Sequence, residues 1–395
     1  MKTILRNTFS QARGDEDLNA PGRILKIASA IIAKSDHEHP ADSVLRAELR
    51  RQAGLSRDES REISRAVFTY FRWFGWLDPQ KPVAGNIFVA QQLAEKFARE
   101  PRRFSDEELL EKAIPAWTKN HVEISTAWLR ALQGEPKLWL RAKRNQAARI
   151  AEALGSSLLA QNTLLTDAIE YRGSEDLFRA PEFQNGDFEL QDISSQAVGV
   201  ICAPKPGQTW WDACAGEGGK LLHLSELMEN KGSIWASDRA EWRLKKLRQR
   251  TARAKVFNYR AALWEGGKKI PTKTKFDGVL VDAPCSGIGT WHRNPQARWT
   301  TSPDDIRELS AIQKNLLSHV ADSVKPGGKL VYSVCTVSRD ETVAVAEFFQ
   351  SERKDFQPLE MGNPFNATEA ASQLWFWPHT SSGNGMFVAA WERNS

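Results

Sequence analysis

Apolar and polar positions follow a helical period through the first third of the chain. After Pro21, apolar residues recur at the three- and four-residue spacing of one helix face. The stretch Ser56–Glu59 is a capping-box pattern, in which the two end side chains can each satisfy a free backbone N–H of a first helical turn. Further helices are expected over about 87–97 and 106–117. We therefore predict an all-α segment over residues 1–125.

The pattern changes near Gly134, where short apolar runs that are typical of strands begin. Leu138–Ala142 and Asp167–Tyr171 are predicted strands, and Gln146–Leu154 between them is a predicted helix. These elements predict a small α/β insert over residues 126–185.

From residue 186 to 395, strands and helices alternate, which indicates a doubly wound, mostly parallel sheet of the α/β, Rossmann-like class. Ser338 and Glu341 form a second capping-box pattern ahead of a helix. The tail, Met386–Trp391 after a turn, is expected to close the sheet as an antiparallel hairpin. The predicted parallel strands are Thr209–Asp212, Ser233–Ser237, Lys255–Tyr259, Phe276–Val281 and Lys329–Val334.

Composition and charge narrow the function classes only in part. The chain has 395 residues, 41% of them hydrophobic, which is enough for two or three domains. Its formal net charge of +5 is compatible with a nucleic-acid partner. The four cysteines include no C-x-x-C pair, so no metal site is expected. Without a signal-peptide pattern or a long apolar run, a cytoplasmic protein with no membrane contact is predicted.

A glycine-rich loop follows the first strand of the α/β region. Glycine lets the backbone approach a ligand closely, and the N-terminus of the following helix offers free N–H groups. Asp238 ends the next strand, where a nucleotide-type ligand presents its ribose hydroxyls. Loop and Asp238 together are compatible with an adenosine-containing cofactor, and a plain tight turn is the alternative. The candidate loop residues are Asp212, Cys214, Ala215, Gly216, Glu217, Gly218, Gly219 and Lys220.

Two cysteines follow the ends of the fourth and fifth predicted strands. Cys285 lies in the string Asp282-Ala283-Pro284-Cys285, and Cys335 directly follows Val334. Because the carboxyl ends of parallel strands meet at one edge of a sheet, both thiols can reach one pocket. A single cysteine is more often a small buried hydrophobe, which is the interpretation for the side chains of Cys202 and Cys214.

Two thiols beside a carboxylate suit one particular reaction. A thiolate that adds to carbon 6 of cytosine turns carbon 5 into a nucleophile that can accept a methyl group. The carbon-5 proton must then leave, and a second thiolate or an activated water can take it. A carboxyl group such as that of Asp282 can bind the edge of the base and stabilise the charge that builds there.

From about Phe188 to the end, the chain resembles the RsmB/Nop/Sun family of RNA 5-methylcytosine methyltransferases. This resemblance implies that Cys335 is the nucleophile and that Cys285 assists product release. It further implies that Asp282 contacts the target base and that Lys220 belongs to the active site. The segments that carry it are Gln191–Gln196, Asp212–Lys220, Asp282–Thr290, Arg293–Pro295 and Ser333–Thr336.

The resemblance also implies the cofactor, the partners and the roles of the other domains. S-adenosylmethionine is expected in the Cys214–Lys220 loop, with Asp238 and Asp282 beside it. The helices of 1–125 resemble a NusB-like RNA-binding domain, and the insert of 126–185 resembles the small RNA-binding subdomain of the same proteins. Ribosomal RNA is the expected partner, transfer RNA the alternative, and no obligate protein partner is expected.

The chain departs from the family pattern at a few positions. Arg260 stands where the predicted third strand ends, a place where the family carries an acidic residue that faces the adenine, so Arg260 is the candidate cofactor residue there. Glu217 replaces a common proline and Leu221 a common threonine. Asn384-Gly385 stands where Asp-Gly is usual.

Two other classes remain as alternatives. In a DNA cytosine methyltransferase, the cysteine of the Pro-Cys string, here Cys285, would be the nucleophile and Cys335 would have no role. A non-catalytic RNA-binding assembly factor could keep the fold without the activity. Arg260 favours this second alternative, whereas the intact set Cys335, Cys285, Asp282 and Lys220 opposes it.

Overall fold

Residues 20–161 and 163–395 are described by the structure, a computed structural model. The chain divides into two units, Met1–Lys96 and Phe97–Ser395. In the first unit, helices pack around fully buried Ile31 and Ile63. Its helices are α1 (Ala20–Lys34), α2 (Ala41–Arg51), α3 (Arg57–Arg72) and α4 (Val83–Arg99), the last of which continues into the second unit.

The capping box predicted at the start of α3 is confirmed. The backbone N–H of Glu59 donates to Ser56 Oγ at 3.1 Å, and the N–H of Ser56 donates to Glu59 Oε2 at 2.7 Å. These two bonds satisfy free donors of the first turn and fix where the helix begins.

The second unit begins earlier than the predicted boundary at residue 125. After the end of α4 and a 3-10 turn, it contains α5 (Asp106–Lys112), a second 3-10 turn and α6 (Thr126–Gln133). Arg298, from the region of the large sheet, donates to the carbonyls of Ala113 and Leu132, each at 2.9 Å. Because such contacts connect residues 97–125 to the region of the large sheet, these residues belong to the second unit and not to the N-terminal helices.

The insert is an antiparallel sheet of four strands in the order β2-β3-β1-β4. Its core contains Leu140, Ile150, Ile169 and Phe188. The sheet extends beyond the predicted end at residue 185, since β4 forms its edge. Its elements are β1 (Leu138–Ala142), α7 (Ala147–Leu154), β2 (Ser157–Leu159), β3 (Ala168–Tyr171), α8 (Pro181–Gln184) and β4 (Phe188–Leu190).

The large sheet confirms the predicted α/β class. Its strand order is β10-β14-β9-β8-β5-β6-β7, with β13 paired to β14. Neighbouring strands from β9 to β7 are parallel, and β14 is antiparallel to its partners. The elements are α9 (Ile193–Cys202), β5 (Thr209–Asp212), α10 (Gly219–Leu227), β6 (Ser233–Asp238), α11 (Glu241–Ala254), β7 (Tyr259–Leu263), β8 (Phe276–Asp282), α12 (Ala297–Thr300), α13 (Pro303–Ala321), β9 (Val324–Val334), α14 (Val343–Glu352), β10 (Phe356–Pro358), β11 (Met361–Asn363), β12 (Asn366–Ala371), β13 (Gln373–Phe376), α15 (Pro378–Ser381) and β14 (Met386–Arg393).

The closing strands are antiparallel, as predicted, but Asn384-Gly385 is not a two-residue hairpin turn. The connection from β13 to β14 contains α15, and Gly385 packs against the loop that follows β8. Its N–H donates to the carbonyl of Gly289 at 2.7 Å. A Cβ on Gly289 would lie 1.9 Å from the carbonyl oxygen of Gly385, so this close approach requires glycine.

The third parallel strand lies four residues later than predicted. Lys255 ends α11 in the left-handed conformation, with φ 59°, and the chain extends only from Tyr259. Arg260 is therefore inside β7, paired with Trp235 of β6, and its guanidinium lies 5.8 Å from the centre of that indole ring. The placement of Arg260 at the end of the strand was wrong.

Two further findings concern only the residues that the structure describes. No helix among them has both the length and the apolar character of a membrane span. No group of three or more His, Cys, Asp or Glu side chains in the same residues is arranged to hold a metal ion.

Candidate active site

A cavity of about 580 Å³ opens at the carboxyl edge of the parallel strands. This is a usual size for a small-molecule site. Of the residues singled out in the sequence, Gly218 and Arg260 are not among those that line it. The predicted site residues that do line it are Asp212, Cys214, Ala215, Gly216, Glu217, Gly219, Lys220, Asp238, Asp282, Cys285 and Cys335.

The glycine loop forms one wall of the cavity. Gly216 and Gly218 have φ of 54° and 87°, which favour glycine. The N–H of Gly216 donates to Asp238 Oδ2 at 3.1 Å, so the end of β6 holds the loop in place. A Cβ on Gly218 would lie 2.9 Å from the Leu247 side chain. The N-cap residue Gly218 has no side chain to cap α10, and in the first turn the N–H of Leu221 faces the carboxylate of Asp212.

Asp212 places a buried carboxylate at the end of β5. Its side chain is 1% exposed, and neither oxygen has a side-chain hydrogen-bond partner among the described residues. Burial, together with the nearby carboxylate of Asp282, raises the pKa of Asp212 to about 7. Such a group is best satisfied by a cationic ligand group.

Lys220 and Asp282 form an ion pair in the cavity that the two cysteines also line. Lys220 Nζ lies 2.7 Å from Asp282 Oδ2, and the hydroxyl of Ser333 donates to Asp282 Oδ1 at 2.8 Å. Burial alone would lower the pKa of Lys220, but the Asp282 carboxylate outweighs it and raises that pKa. Lys220 therefore stays protonated, and its charge also faces Cys335.

The two cysteines are in contact. Their Sγ atoms are 3.3 Å apart, and both thiols are partly buried. The hydrogen bond with Cys335, then burial, then the charge of Glu341 raise the pKa of the Cys285 thiol well above its usual value. Cys285 thus keeps its proton in the free protein. Cys202, by contrast, is fully buried in the core, as predicted.

Sequence reasoning missed three residues of the site. Trp264 and Glu265, directly after β7, line the cavity where Arg260 was expected. They were missed because the strand was placed too early. Glu341 was assigned to a capping box with Ser338, and this was wrong. Ser338 forms no side-chain cap, and the Glu341 side chain turns inward to the loop that carries Cys285. The Ser-x-x-Glu pattern alone does not distinguish these outcomes.

The fold and the loop together define a Rossmann-like methyltransferase domain. The family model for 16S rRNA methyltransferase RsmB/F matches residues 199–392. Ribosomal RNA small subunit methyltransferase B of Enterobacter sp. (strain 638) is 32% identical over 76% of this chain and 69% of its own length. The chain belongs to the RsmB/F methyltransferase family, which confirms the resemblance seen in the sequence.

Other relatives match smaller shares of their own length. The probable ribosomal RNA small subunit methyltransferase B of Synechocystis sp. is 34% identical over 71% of this chain and 65% of that protein. The probable ribosomal RNA small subunit methyltransferase B of Bacillus subtilis is 38% identical over 53% of this chain and 48% of that protein. The chain thus spans about half to two thirds of these relatives.

Two solved structures support the fold. The crystal structure of PH0851 matches with a TM-score of 0.77 and 23% sequence identity, and the match covers 96% of this chain and 100% of that chain. A methyltransferase homolog protein from Pyrococcus horikoshii has a TM-score of 0.58 at 27% identity, covering 68% of this chain and 90% of that one.

S-adenosylmethionine is the cofactor of this class, and the cavity fits it. The glycine loop and the uncapped helix start offer backbone N–H groups for a carboxylate. The carboxylate of Asp212 is suited to an ammonium group, and Asp238 ends the strand where ribose hydroxyls are expected.

Proposed function

We propose that this protein transfers a methyl group from S-adenosylmethionine to carbon 5 of a cytosine in RNA, through a covalent bond between Cys335 and carbon 6. The observation that carries this proposal is the pair of thiols 3.3 Å apart, in the same cavity as the Asp282–Lys220 ion pair and the glycine loop. The names of the curated relatives favour ribosomal RNA as the substrate, and transfer RNA is the alternative.

The cofactor residues are assigned from their places around the cavity. S-adenosylmethionine supplies the methyl group. The loop from Cys214 to Lys220 holds its amino-acid end, and Asp212 faces the ammonium group. Asp238 accepts from the ribose hydroxyls. Trp264 and Glu265 replace Arg260 as the residues next to the adenine, because they follow β7 at the cavity wall.

Asp282 and Lys220 act on the target base and on the nucleophile. When Cys335 adds to carbon 6, negative charge moves towards the ring nitrogen of cytosine. The carboxylate of Asp282 accepts from the exocyclic amine of the base, and the ammonium of Lys220, 2.7 Å from Asp282, supplies the positive charge that offsets the negative charge on the ring. A thiolate is the attacking species in such an addition, and the positive charge of Lys220 faces the Cys335 sulfur.

Cys285 changes its character during the reaction. In the free protein, the neighbouring Cys335 is the first cause of its raised pKa. Once Cys335 is bonded to carbon 6, it no longer carries a charge that opposes ionisation of Cys285. The Cys285 sulfur, 3.3 Å from that of Cys335 in the free protein, is placed to take the carbon-5 proton and so allow Cys335 to leave.

This arrangement also weighs against both alternatives. A DNA-type scheme gives Cys335 no role, but its sulfur lines the cavity and lies 3.3 Å from that of Cys285. The non-catalytic alternative relied on Arg260, which the structure places inside the sheet and away from the cavity. We further propose that the helices of the first unit and the insert bind RNA in the cytoplasm, where unpaired cysteines are expected.

Bisulfite sequencing of total RNA from cells with and without the gene tests this function. The expected result is one or a few cytosines of the small-subunit ribosomal RNA that lose protection when the gene is absent and regain it when it is restored. Loss of protection in transfer RNA alone would select the alternative substrate. Unchanged protection in all RNA would contradict the proposal.

The raised pKa of Asp212 predicts how cofactor binding depends on pH. The ionised carboxylate is the form that attracts an ammonium group, and it is lost as the pH falls through about 7. The affinity for S-adenosylmethionine, measured by calorimetry, should fall by up to about tenfold per pH unit below that value and level off above it. Asp212→Asn should bind more weakly and show a flatter profile. Equal affinity across this range in the native protein would contradict the role of Asp212.

A further inference from the structure

Glu341 places a carboxylate between the two cysteine loops. It ends a 3-10 turn just before α14, and its side chain is fully buried. Oε1 accepts from the backbone N–H of Ser286 at 2.8 Å and from Gln313 Nε2 at 3.1 Å. Oε2 accepts from the hydroxyl of Ser286 and from that of Thr336, the latter at 3.1 Å. Four donors thus surround one carboxylate.

Two of these partners are the residues that directly follow the cysteines. Ser286 follows Cys285, and Thr336 follows Cys335. The hydroxyls of Ser286 and Thr336 are themselves 3.0 Å apart. The Glu341 carboxylate therefore connects the loop after β8 with the segment after β9, one residue beyond each cysteine.

The core behind Glu341 makes this junction rigid. Gln313 of α13 also donates to the carbonyl of Pro284 at 2.9 Å, on the other side of Cys285. The buried hydroxyl of Tyr332 donates to the backbone carbonyl of Glu341 at 2.6 Å. Burial raises the pKa of Glu341, whereas the hydrogen bonds from Ser286, Gln313 and Thr336 oppose that shift. A buried carboxylate is costly unless it is satisfied in this way, so its donors are held in fixed places.

We propose that Glu341 is a positioning residue, which holds the sulfur atoms of Cys285 and Cys335 at their reactive separation by fixing the residue after each. The proposal rests on the function proposed above. It assigns to Glu341 no contact with RNA or cofactor. Its effect is on geometry, where a displacement of about 1 Å can cost about 100-fold in rate.

The test is the rate at which protein and target RNA form a covalent adduct in a single turnover with S-adenosylmethionine. Glu341→Gln keeps the shape of the side chain but replaces one carboxylate oxygen by an NH₂ group. This group is a hydrogen-bond donor, and it would face the donors that now bind Glu341. Adduct formation should slow by about 10- to 100-fold, with cofactor affinity unchanged within about twofold. The matched control is Asp277→Asn, which alters a hydrogen-bonded carboxylate near the opposite end of β8. This control should form adduct at the native rate.

The possible outcomes separate this proposal from the proposed function. No adduct with the native protein would contradict the function itself. Adduct from Glu341→Gln at the native rate would overturn only the positioning role. Thr336→Val removes one of the hydrogen bonds to Glu341, the one from the Thr336 hydroxyl. This variant tests the positioning role if Glu341→Gln does not fold. It should slow adduct formation several-fold and lower the melting temperature by only a few degrees, and a native rate would again overturn the proposal.

Discussion

Cys335→Ala is expected to transfer no measurable methyl group to RNA. Without this thiol no bond to carbon 6 forms, and carbon 5 stays too poor a nucleophile to accept the methyl group. Loss of a covalent nucleophile costs on the order of 10⁴-fold or more in turnover. The measurement is transfer of a labelled methyl group from S-adenosylmethionine to target RNA, with cofactor affinity measured in parallel and expected to stay near the native value.

Cys202→Ala provides the matched control for this variant. Cys202 is fully buried on α9 and does not line the cavity. Its replacement should leave methyl transfer within about threefold of native, since it removes only a little core packing. Methyl transfer by Cys335→Ala at more than about a tenth of the native rate would show that another group attacks the base.

Asp282→Asn should give the second largest loss, about 100- to 1000-fold in turnover. The substitution keeps the shape but removes the carboxylate that accepts from the exocyclic amine of the base and orients Lys220. It also leaves the Lys220 ammonium, 11% exposed, without its ion-pair partner. Steady-state methyl transfer with saturating cofactor measures the effect.

Ser333→Ala is the control for Asp282. It removes one hydrogen bond to Asp282 Oδ1 but leaves the contact with Lys220. Its turnover should fall by about tenfold, less than that of Asp282→Asn, because a hydrogen bond to a charged group worth about 1.5–3 kcal/mol is lost while Lys220 still orients the carboxylate. Equal losses in Ser333→Ala and Asp282→Asn would mean that the charge of Asp282 has no special role.

Much of the site could be predicted because it depends on strand ends. Alternating strands and helices require a parallel sheet, and such a sheet gathers its carboxyl ends at one edge. Asp212, Asp238, Asp282 and Cys335 each end or follow a strand, so their meeting in one cavity follows from the pattern. The contact between Cys285 and Cys335 follows in the same way, since β8 and β9 are neighbours.

Local patterns were less informative where tertiary contacts compete with them. The third strand was misplaced because nothing in the sequence marks the left-handed residue Lys255 that ends α11. Ser338 and Glu341 have the spacing of a capping box, as Ser56 and Glu59 do. Of these two pairs, only Ser56 and Glu59 form a capping box. Glu341 does not, because its hydrogen-bond donors come from segments distant in sequence. Such a choice is made by packing and not by spacing.

The most direct test of Cys335 as the nucleophile is a denaturing gel of the single-cysteine variants incubated with target RNA and S-adenosylmethionine. In Cys285→Ala, Cys335 should still attack the base, and the base should still accept the methyl group, because neither step needs the second thiol. It should then stall before release, so that protein and RNA migrate together as a slow band. This band should be absent from Cys335→Ala and from the double variant. A covalent band from Cys335→Ala but not from Cys285→Ala would contradict the assignment.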